Sequence, residues 1–371
     1  MKILKKKTAL CMVLLFILML ISIPVNALSA QAYAVIDIQS GRLLHANNAT
    51  TPLEMASTTK IMTCIVAIET SDLDEIVLVD DRAVGTEGSS IYLKHGEEIR
   101  LGDLLYGLML QSGNDAANAI AYYISGDIAS FSAKMNAKAR EIGALNTNFV
   151  NPSGLSDANH YTTAEDLAKI CAYAMRNETF AAIVSTRNIT IPALNAAGID
   201  RTITNKNRLL SLYEGATGIK TGYTKSAGKC FCGSAERDGF SLAVVTLNTA
   251  DTFTDAIELL DQAYADYTQV TFLTRGEYLK SIPIDTGGTK RLYAPQDLTY
   301  PLLEDEIDDV RIEITTEPIL HAPMSAGEKI GQIELFIGSE LQFTLDITLD
   351  KDIEYKQTFL DKILSLFKEN I

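Results

Sequence analysis

MASTTKIMTCIVAIE, at residues 55–69, is the stretch from which the fold and the chemistry of this chain can be worked out. Its apolar residues recur at the three- and four-residue spacing of a helix: Ile61, Cys64, Ile65 and Ile68. We therefore predict a buried helix that begins at Ser57. Because residues three apart share one face of a helix, the side chains of Ser57 and Lys60 would meet at its first turn.

Two further short motifs follow along the chain. Ser112-Gly113-Asn114 is predicted to lie in a loop between helices, and Lys220-Thr221-Gly222 lies just before a predicted β-hairpin. Each occurs once, whereas S-x-x-K is also found at Ser226 to Lys229 and at Ser365 to Lys368. Only the copy at Ser57 begins a predicted buried helix, so the ordered set of three motifs indicates a single site.

The serine and lysine of the first motif suit nucleophilic catalysis. A serine hydroxyl is a poor nucleophile at neutral pH and needs a nearby base. Lys60 would serve as that base if its amine were neutral, and both burial and the positive field of Lys220 would lower its pKa. The backbone N–H of Ser57, at a helix N-terminus, would form half of an oxyanion hole.

The other motif residues suit proton transfer and substrate binding. Ser112 would relay a proton to a leaving amine, and Asn114 would position the lysine base and a substrate amide. Lys220 and Thr221 offer a charge and a hydroxyl group to a substrate carboxylate. Gly222 would allow an extended peptide to approach the strand edge closely.

Each motif also has a simpler interpretation when it is taken alone. Ser57 would be only a helix cap and Lys60 only a solvated charge. The S-x-N motif would be a turn, and the K-T-G motif the start of a strand. The combination of the three motifs, each flanked by apolar sequence, favours catalysis.

Strand patterns lie at both ends of residues 31–268, with helical patterns between them. Ala32 to Asp37 and Arg42 to Ala46 form a predicted hairpin around Ser40-Gly41, and Gly228 to Ala235 and Phe240 to Thr246 form another. Thr162 and Glu165 predict a capping box. The predicted helices are Ser57 to Glu69, Leu101 to Leu110, Asp115 to Ile124, Ile128 to Ile142, Thr162 to about Arg176, and Phe253 to Tyr267. These patterns predict an α/β (α+β) domain, one antiparallel sheet with an inserted helical subdomain.

The remainder of the chain predicts a small all-β domain followed by a helix. Residues 271–352 hold short alternating runs separated by turns, such as Arg311 to Thr315, Lys329 to Ile337 and Leu341 to Leu349. Residues 355–371 form an amphipathic pattern that suits the surface of a membrane. Docking of this helix back onto the β domain is the alternative.

The N-terminus predicts export. Residues 1–27 combine a basic start, an apolar run and a small-residue cleavage site, as in a secretory signal peptide. An uncleaved membrane anchor is the alternative interpretation. The formal charge of the whole chain is −15, and such an acidic surface argues against a nucleic-acid partner.

The cysteines and histidines predict neither a metal site nor a disulfide framework. Cys64 and Cys171 lie on apolar helix faces, and Cys230 and Cys232 share one face of a strand, where a disulfide fits poorly. The four histidines are scattered and lack ligand spacing. No metal or organic cofactor is implied.

The motif regions resemble those of low-molecular-mass penicillin-binding proteins, the serine-type D-alanyl-D-alanine carboxypeptidases. The matching blocks are PLEMASTTKIMT at residues 52–63, LMLQSGNDAA at 108–117 and GIKTGYT at 218–224. The resemblance implies a β-lactamase/transpeptidase-like catalytic fold. It further implies removal of the terminal D-alanine from peptidoglycan stem peptides through a Ser57 acyl-enzyme, and inhibition by β-lactam antibiotics.

The same resemblance implies further site residues and a location. The N–H of Tyr223 would be the second oxyanion donor, and either Lys206 or Arg208 would help to bind the terminal carboxylate. The terminal helix would hold the enzyme at the outer face of the cytoplasmic membrane.

Three other functions remain open on the sequence. A D,D-endopeptidase would use the same residues on crosslinked peptidoglycan. A β-lactamase would need an E-x-x-L-N block, and the nearest approach, at Glu141 to Asn146, has one residue too many. A non-catalytic peptidoglycan-binding protein would not need to keep an intact nucleophile and base.

Overall fold

The computed structural model describes residues 28–355. The predicted signal peptide (1–27) lies outside the described residues, as does the predicted terminal helix beyond Tyr355. Within residues 28–355, no helix is both long enough and apolar enough to cross a bilayer.

The first and last strands of the catalytic region meet in one five-stranded antiparallel sheet. β1 (Ala32–Asp37) lies between β2 (Leu43–Asn47) and β9 (Phe240–Thr249), and the sheet continues through β8 (Gly228–Arg237) to the edge strand β7 (Ala216–Thr224). The predicted antiparallel sheet is confirmed. The K-T-G motif, expected just before the strands, instead lies inside β7, because this segment pairs along its whole length with β8.

The hairpin of β8 and β9 follows from its turn sequence. Arg237 pairs with Phe240 across a two-residue loop of Asp238 and Gly239, whose φ angles are 50° and 82°. Two positive φ angles define a type I′ turn, which matches the twist of the strands that it joins.

Helices cover both faces of this sheet. The helices are α1 (Lys60–Thr70), α2 (Leu101–Leu110), α3 (Asn114–Ser125), α4 (Ile128–Ile142), α5 (Ala164–Met175), α6 (Glu178–Ser185), α7 (Leu209–Leu212) and α8 (Thr252–Asp266). The segment between β2 and β7 supplies α1 to α6 on one face, and α8 packs on the other face. All eight residues from Lys60 to Ala67 are buried, so α1 is the central helix of its layer.

Two predicted helix starts differ from the structure. Ser57 lies in a 3₁₀ turn, Ala56–Thr59, that precedes α1. The cap of α5 is Thr163, which accepts a hydrogen bond from the N–H of Asp166. Thr162 cannot cap this helix, because its backbone pairs with Leu53.

Short strands make up the remaining sheets. β3 (Ile76–Leu78) pairs with β4 (Glu98–Arg100), and β5 (Asn188–Ile191) pairs with β6 (Arg201–Thr204). The predicted C-terminal β domain is confirmed. Its strands are β10 (Thr268–Leu273), β11 (Tyr278–Pro283), β12 (Thr289–Tyr293), β13 (Leu298–Leu302), β14 (Val310–Thr316), β15 (Lys329–Ile337) and β16 (Glu340–Thr348).

One arginine joins the sheet to the β domain. The Arg42 guanidinium forms two hydrogen bonds with the Glu306 carboxylate, at 2.5 and 2.9 Å, and donates a third to the carbonyl of Pro301 at 2.6 Å. It also lies 5.3 Å from the ring centroids of both Tyr267 and Tyr300. A planar guanidinium suits such a combination of bidentate pairing and ring contact.

The four cysteines of the described region are buried and free. Cys230 and Cys232 both face the helical layer, whereas Phe231 between them packs under α8. The predicted shared face of the two cysteines is confirmed.

A buried ion pair fixes the loop that follows β3. Arg201, at the start of β6, contacts both carboxylate oxygens of Glu97 at 2.5 and 2.7 Å. It also donates to the carbonyl groups of Ile91 and Tyr92, at 2.7 and 3.1 Å. Both side chains of the pair are almost fully buried.

Glu97→Ala should therefore lower the free energy of unfolding by about 3–5 kcal/mol, because it leaves the Arg201 charge buried without a partner. Denaturant titration followed by circular dichroism measures the loss. Glu165→Ala is the control, because Glu165 pairs with Lys169 on a partly exposed helix face, where such pairs contribute about 0–1 kcal/mol. Equally small losses in both variants would contradict the structural importance of the buried pair.

Candidate active site

The three motifs converge on one cleft of about 390 Å³ at the edge of β7. Of the eight residues predicted for the site, five line this cleft: Ser57, Ser112, Thr221, Gly222 and Tyr223. The other three are buried behind its surface: Lys60, Asn114 and Lys220. The structure thus brings together residues that are far apart in the sequence.

The 3₁₀ turn keeps Ser57 and Lys60 in contact. Residues three apart are eclipsed in a 3₁₀ helix, and the Nζ atom of Lys60 lies 3.1 Å from the Oγ atom of Ser57. The predicted contact is therefore present although the predicted α-helical start is wrong. Ala56, which begins the turn, has a φ of 48°, a left-handed conformation that costs a non-glycine residue about 1–2 kcal/mol.

The hydrogen-bond partners of Lys60 can be satisfied by a neutral amine. Its Nζ atom lies 2.7 Å from Oδ1 of Asn114 and also contacts the backbone carbonyl of Ser153. Both of these oxygens can only accept hydrogen bonds, whereas the Ser57 hydroxyl can donate as well as accept. A neutral amine would use its two N–H groups on the two acceptors and its lone pair on the Ser57 proton.

Burial and neighbouring charge act on Lys60 in the same direction. Burial holds the pKa of Lys60 well below its usual range, and the positive charge of Lys220 lowers it further. The negative charge of Asp115 opposes these effects but does not reverse them. Burial also lowers the pKa of Lys220 to about 7, with a further contribution from Lys206.

Asn114 and Asp115 order one wall of the cleft. The Asn114 side chain donates to the carbonyl of Glu87 at 2.6 Å, so one amide group bridges Lys60 and this wall. The carboxylate of Asp115 accepts hydrogen bonds from the backbone N–H groups of residues 91 and 93 and from the hydroxyl group of Ser90. Sequence reasoning missed Asp115, although its place in the first turn of α3 was a signal, because carboxylates favour helix N-termini.

Ser112 occupies a strained backbone position at the cleft surface. Its φ is 66°, which is uncommon for a residue other than glycine. Its side chain is almost buried, so the hydroxyl group has a restricted environment. Such strain often marks functional positions.

Gly222 permits the close approach of β7 to the turn that carries Ser57. A Cβ atom at this position would lie 2.9 Å from the Ser57 nitrogen and 3.1 Å from the Thr58 nitrogen. The absence of a side chain therefore leaves the Ser57 N–H within reach of the strand edge. The next side chain along the strand, that of Tyr223, is 68% exposed and lines the cleft.

The loop at residues 151–154, which was not predicted from the sequence, supplies the Ser153 carbonyl group that contacts Lys60. The Asn151 side chain accepts hydrogen bonds from the N–H groups of Ser153 and Gly154, at 3.2 and 2.7 Å. Gly154 has a φ of 83°, and a Cβ atom there would overlap the carbonyl of Ala56. The N-P-S-G sequence at residues 151–154 was the available signal, since such residues favour turns.

His160 supports the turn that carries Ser57. Its Nδ1 atom accepts a hydrogen bond from the N–H of Val150, which leaves the proton on Nε2, 2.7 Å from the Thr59 hydroxyl. That hydroxyl group donates in turn to the Ala56 carbonyl at 2.8 Å. Burial lowers the pKa of His160 to about 4, so the ring is neutral at neutral pH.

The two basic residues considered for carboxylate binding have different surroundings. Lys206 lines the cleft, and its Nζ atom donates to the Gln111 carbonyl at 2.9 Å. The Arg208 guanidinium lies over the Phe253 ring, 5.6 Å from its centroid. Of the two, Lys206 is the one that borders the cleft.

Over residues 28–355, no group of three or more histidine, cysteine or acidic side chains could hold a metal ion. The cleft itself presents serine hydroxyl and lysine groups, and Ser57 contacts the buried amine of Lys60. A serine next to a buried amine suits acyl transfer.

Comparison with known proteins agrees with this chemistry. Residues 20–251 match the peptidase S11 family, D-alanyl-D-alanine carboxypeptidase, and residues 267–355 match the C-terminal domain of penicillin-binding protein 5. The chain is 28% identical to D-alanyl-D-alanine carboxypeptidase DacF of Bacillus subtilis, over 88% of this chain and 86% of the relative. It is 37% identical to DacB2 of Mycobacterium tuberculosis, over 61% and 77% of the two chains.

A solved structure shows the same architecture. Penicillin-binding protein 5 of Haemophilus influenzae superposes with a TM-score of 0.72 at 25% identity, covering 90% of this chain and all of that one. These findings confirm the resemblance predicted from the three motifs. Since the family match spans more than half of its length, the chain belongs to the peptidase S11 family of D-alanyl-D-alanine carboxypeptidases.

Proposed function

We propose that this protein removes the terminal D-alanine from peptidoglycan stem pentapeptides through an acyl-enzyme on Ser57, and that penicillins acylate the same residue. The observation that carries the proposal is the 3.1 Å contact between the Ser57 hydroxyl and the Lys60 amine, which is buried beside two acceptors. A serine peptidase needs this combination of nucleophile and neutral base.

Acylation begins with proton transfer from Ser57 Oγ to Lys60 Nζ. The Ser57 oxygen attacks the carbonyl carbon of the penultimate D-alanine, and the resulting oxyanion binds the N–H groups of Ser57 and Tyr223. The position of Gly222 against the Ser57 nitrogen supports this geometry. Preorganised backbone donors of this kind lower the barrier for acyl transfer.

Release of D-alanine returns the proton. The proton on Lys60 passes through Ser112 to the leaving amine as the C–N bond breaks. Water then attacks the Ser57 ester while Lys60 accepts a proton from that water. As the ester C–O bond breaks, Lys60 passes this proton to Ser57 Oγ, which restores the free serine and the neutral amine. Asn114 keeps Lys60 in place through both steps, and its 2.7 Å hydrogen bond supports this role.

Cations select the terminal carboxylate of the substrate. Lys220 and Thr221 provide a charge and a hydroxyl group, and Lys206 adds a second charge on the same side of the cleft. The effect of Lys206 on the pKa of Lys220 supports their proximity. A carboxypeptidase substrate has a free carboxylate on the residue that is released, whereas the residue after an internal peptide bond has none.

A β-lactamase function fits the cleft less well. Rapid release of a penicilloyl group by that class of enzyme requires a carboxylate that activates water. Among the described residues, those that line the cleft include neither aspartate nor glutamate. We therefore expect a long-lived penicilloyl adduct.

Ser57→Ala should abolish D-alanine release from a diacetyl-Lys-D-Ala-D-Ala peptide and formation of the benzylpenicillin adduct. Intact mass spectrometry and a D-alanine assay measure the two losses. Ser226→Ala, which alters another serine of an S-x-x-K sequence, should keep both activities. Adduct formation by the Ser57→Ala variant would contradict the proposed nucleophile. Release only from crosslinked peptides would favour the endopeptidase alternative.

The activity should fall as the pH rises through about 7. Below this pH the Lys220 amine is charged and attracts the substrate carboxylate; above it the charge is lost, because burial lowers its pKa to about 7. The alkaline limb of kcat/KM reports groups of the free enzyme. Lys220→Arg keeps its charge and should move this limb to higher pH, although with a lower maximum. Lys225→Arg, outside the cleft, should leave it unchanged.

If the alkaline limb stays at the same pH in the Lys220→Arg variant, the limb reports the titration of a group other than Lys220. Recording the profile with a substrate saturating at each pH separates binding from the chemical step, because kcat then reports only the complex.

We also propose an arrangement of domains at the membrane. Residues 1–27 direct export, residues 31–268 form the catalytic domain, residues 271–352 form a spacer, and residues 355–371 bind the outer face of the cytoplasmic membrane. The contacts of Arg42 with Glu306 and Tyr300 support a fixed junction between the catalytic domain and the spacer.

Truncation after Tyr355 should release the protein from anionic liposomes, because it removes the predicted amphipathic helix. The cut should follow Tyr355, since Ile353 pairs with Met324 within the β domain. Liposome co-sedimentation measures binding, and hydrolysis of the soluble peptide should persist. Undiminished binding of the truncated protein would contradict the membrane role of residues 356–371.

A further inference from the structure

The cleft extends beyond Ser57 along the edge of the sheet, on the face that α8 covers. Side chains alternate between the two faces along a strand. Cys230 of β8 faces the helical layer, whereas Phe231 faces α8. By the same alternation Lys229 lies on the α8 side. It pairs in register with Tyr223 of β7 and lines the cleft with Phe253.

This outer part of the cleft combines aromatic surface with the lining cation of Lys229, and the Arg208 guanidinium, which does not line the cleft, lies over the Phe253 ring. Tyr223 is 68% exposed, and the Phe253 ring is held edge-on against Phe231, with 5.4 Å between centroids. The exposed Lys229 donates from Nζ to the Ala250 carbonyl at 2.6 Å. Within residues 28–355, no carboxylate lies within ion-pair distance of Lys229. An ammonium group has three donors, so two are left for a ligand.

The charge of the cleft is opposite to that of the chain. The chain holds 47 acidic and 32 basic residues, yet the eleven described residues that line the cleft include two lysines and no acidic residue. A cleft lined by one sign of charge concentrates ligands of the opposite sign. The cleft therefore favours a ligand with anionic groups.

The two lining lysines border different parts of the cleft. Lys206 is close enough to Lys220 to lower the pKa of that amine, which places it towards the K-T-G lysine. Lys229 instead lies beside Tyr223, beyond Gly222. An extended peptide advances about 3.3 Å per residue. If its terminal carboxylate lies at Lys220, its acyl portion therefore runs past Tyr223 towards Lys229.

We propose that Lys229, with Tyr223 and Phe253, forms an acyl-side subsite that binds a side-chain carboxylate on the residue immediately before the D-alanine pair. The aromatic rings contact the aliphatic part of that side chain, and the ammonium group binds its end. The inference rests on the proposed function for the direction of the peptide, but the subsite itself can be tested by binding alone.

The test uses two peptides that differ in a single charge. In acetyl-X-D-Ala-D-Ala, X is either L-2-aminoadipate or its side-chain amide. Affinities are measured by calorimetry on the Ser57→Ala background, which prevents turnover. The background protein should bind the carboxylate peptide about twofold to fivefold more tightly, as expected for one partly exposed ion pair. Added salt should reduce the preference, because it screens exposed charges.

Lys229→Met should bring the ratio of the two affinities close to one, and Lys229→Glu should reverse the preference. Lys225→Met is the matched control, because Lys225 is an exposed lysine in the turn between β7 and β8 that does not line the cleft. It should leave the ratio unchanged. Circular dichroism verifies that all variants are folded.

Equal affinities on the Ser57→Ala background, or a preference that survives Lys229→Met, would overturn the subsite. D-alanine release by the protein with intact Ser57 is followed in parallel. A Lys229-dependent preference without any release would support the subsite while contradicting the proposed hydrolysis, so the two failures are distinguishable.

Discussion

The site depends on keeping one lysine amine neutral and close to a serine. Burying a charged ammonium group costs several kcal/mol unless it is well paired. Lys60 has two acceptors that cannot themselves donate, and no carboxylate is among its hydrogen-bond partners. The nearby positive charge of Lys220 adds repulsion. The protonated form is therefore disfavoured before any substrate binds, and the amine is ready to accept the proton of Ser57.

Much of the surrounding structure serves this arrangement. The seven buried residues that follow Lys60 in α1 anchor the lysine in the helical layer. The edge strand β7 brings the charge of Lys220 to the cleft, and Gly222 lets that strand approach the Ser57 turn. The loop around Ser153 supplies the carbonyl group that fixes the amine from behind. Each element contributes one backbone or side-chain group, and none of them would suffice alone.

The sequence predicted the features that short-range patterns encode. Helical periodicity identified α1, the Asp-Gly turn identified the hairpin of β8 and β9, and the spacing of Ser57 and Lys60 identified their contact. It did not predict the 3₁₀ turn at Ser57, whose first residue, Ala56, packs with its carbonyl against the distant Gly154. Contacts between distant residues leave little local signal.

The roles of Ser153 and His160 were missed for the same reason. The carbonyl group that contacts Lys60 belongs to a residue 93 positions away, and the histidine that contacts Thr59 is 101 positions away. A backbone carbonyl has no side-chain signature at all. The cap at Thr163, one residue after the predicted Thr162, was displaced by strand pairing with Leu53, which again is a tertiary contact.

The most direct test of this account is the titration of the Lys60 amine itself. Protein labelled with ¹³C at the lysine Cε position gives one NMR signal per lysine, and the signal absent from Lys60→Met identifies Lys60. With Lys60 as the base, this signal should titrate well below the usual lysine range, so that the amine is already neutral at neutral pH. Titration near the ordinary pKa of lysine, about 10.4, would mean that Lys60 is charged in the resting enzyme and cannot be its base.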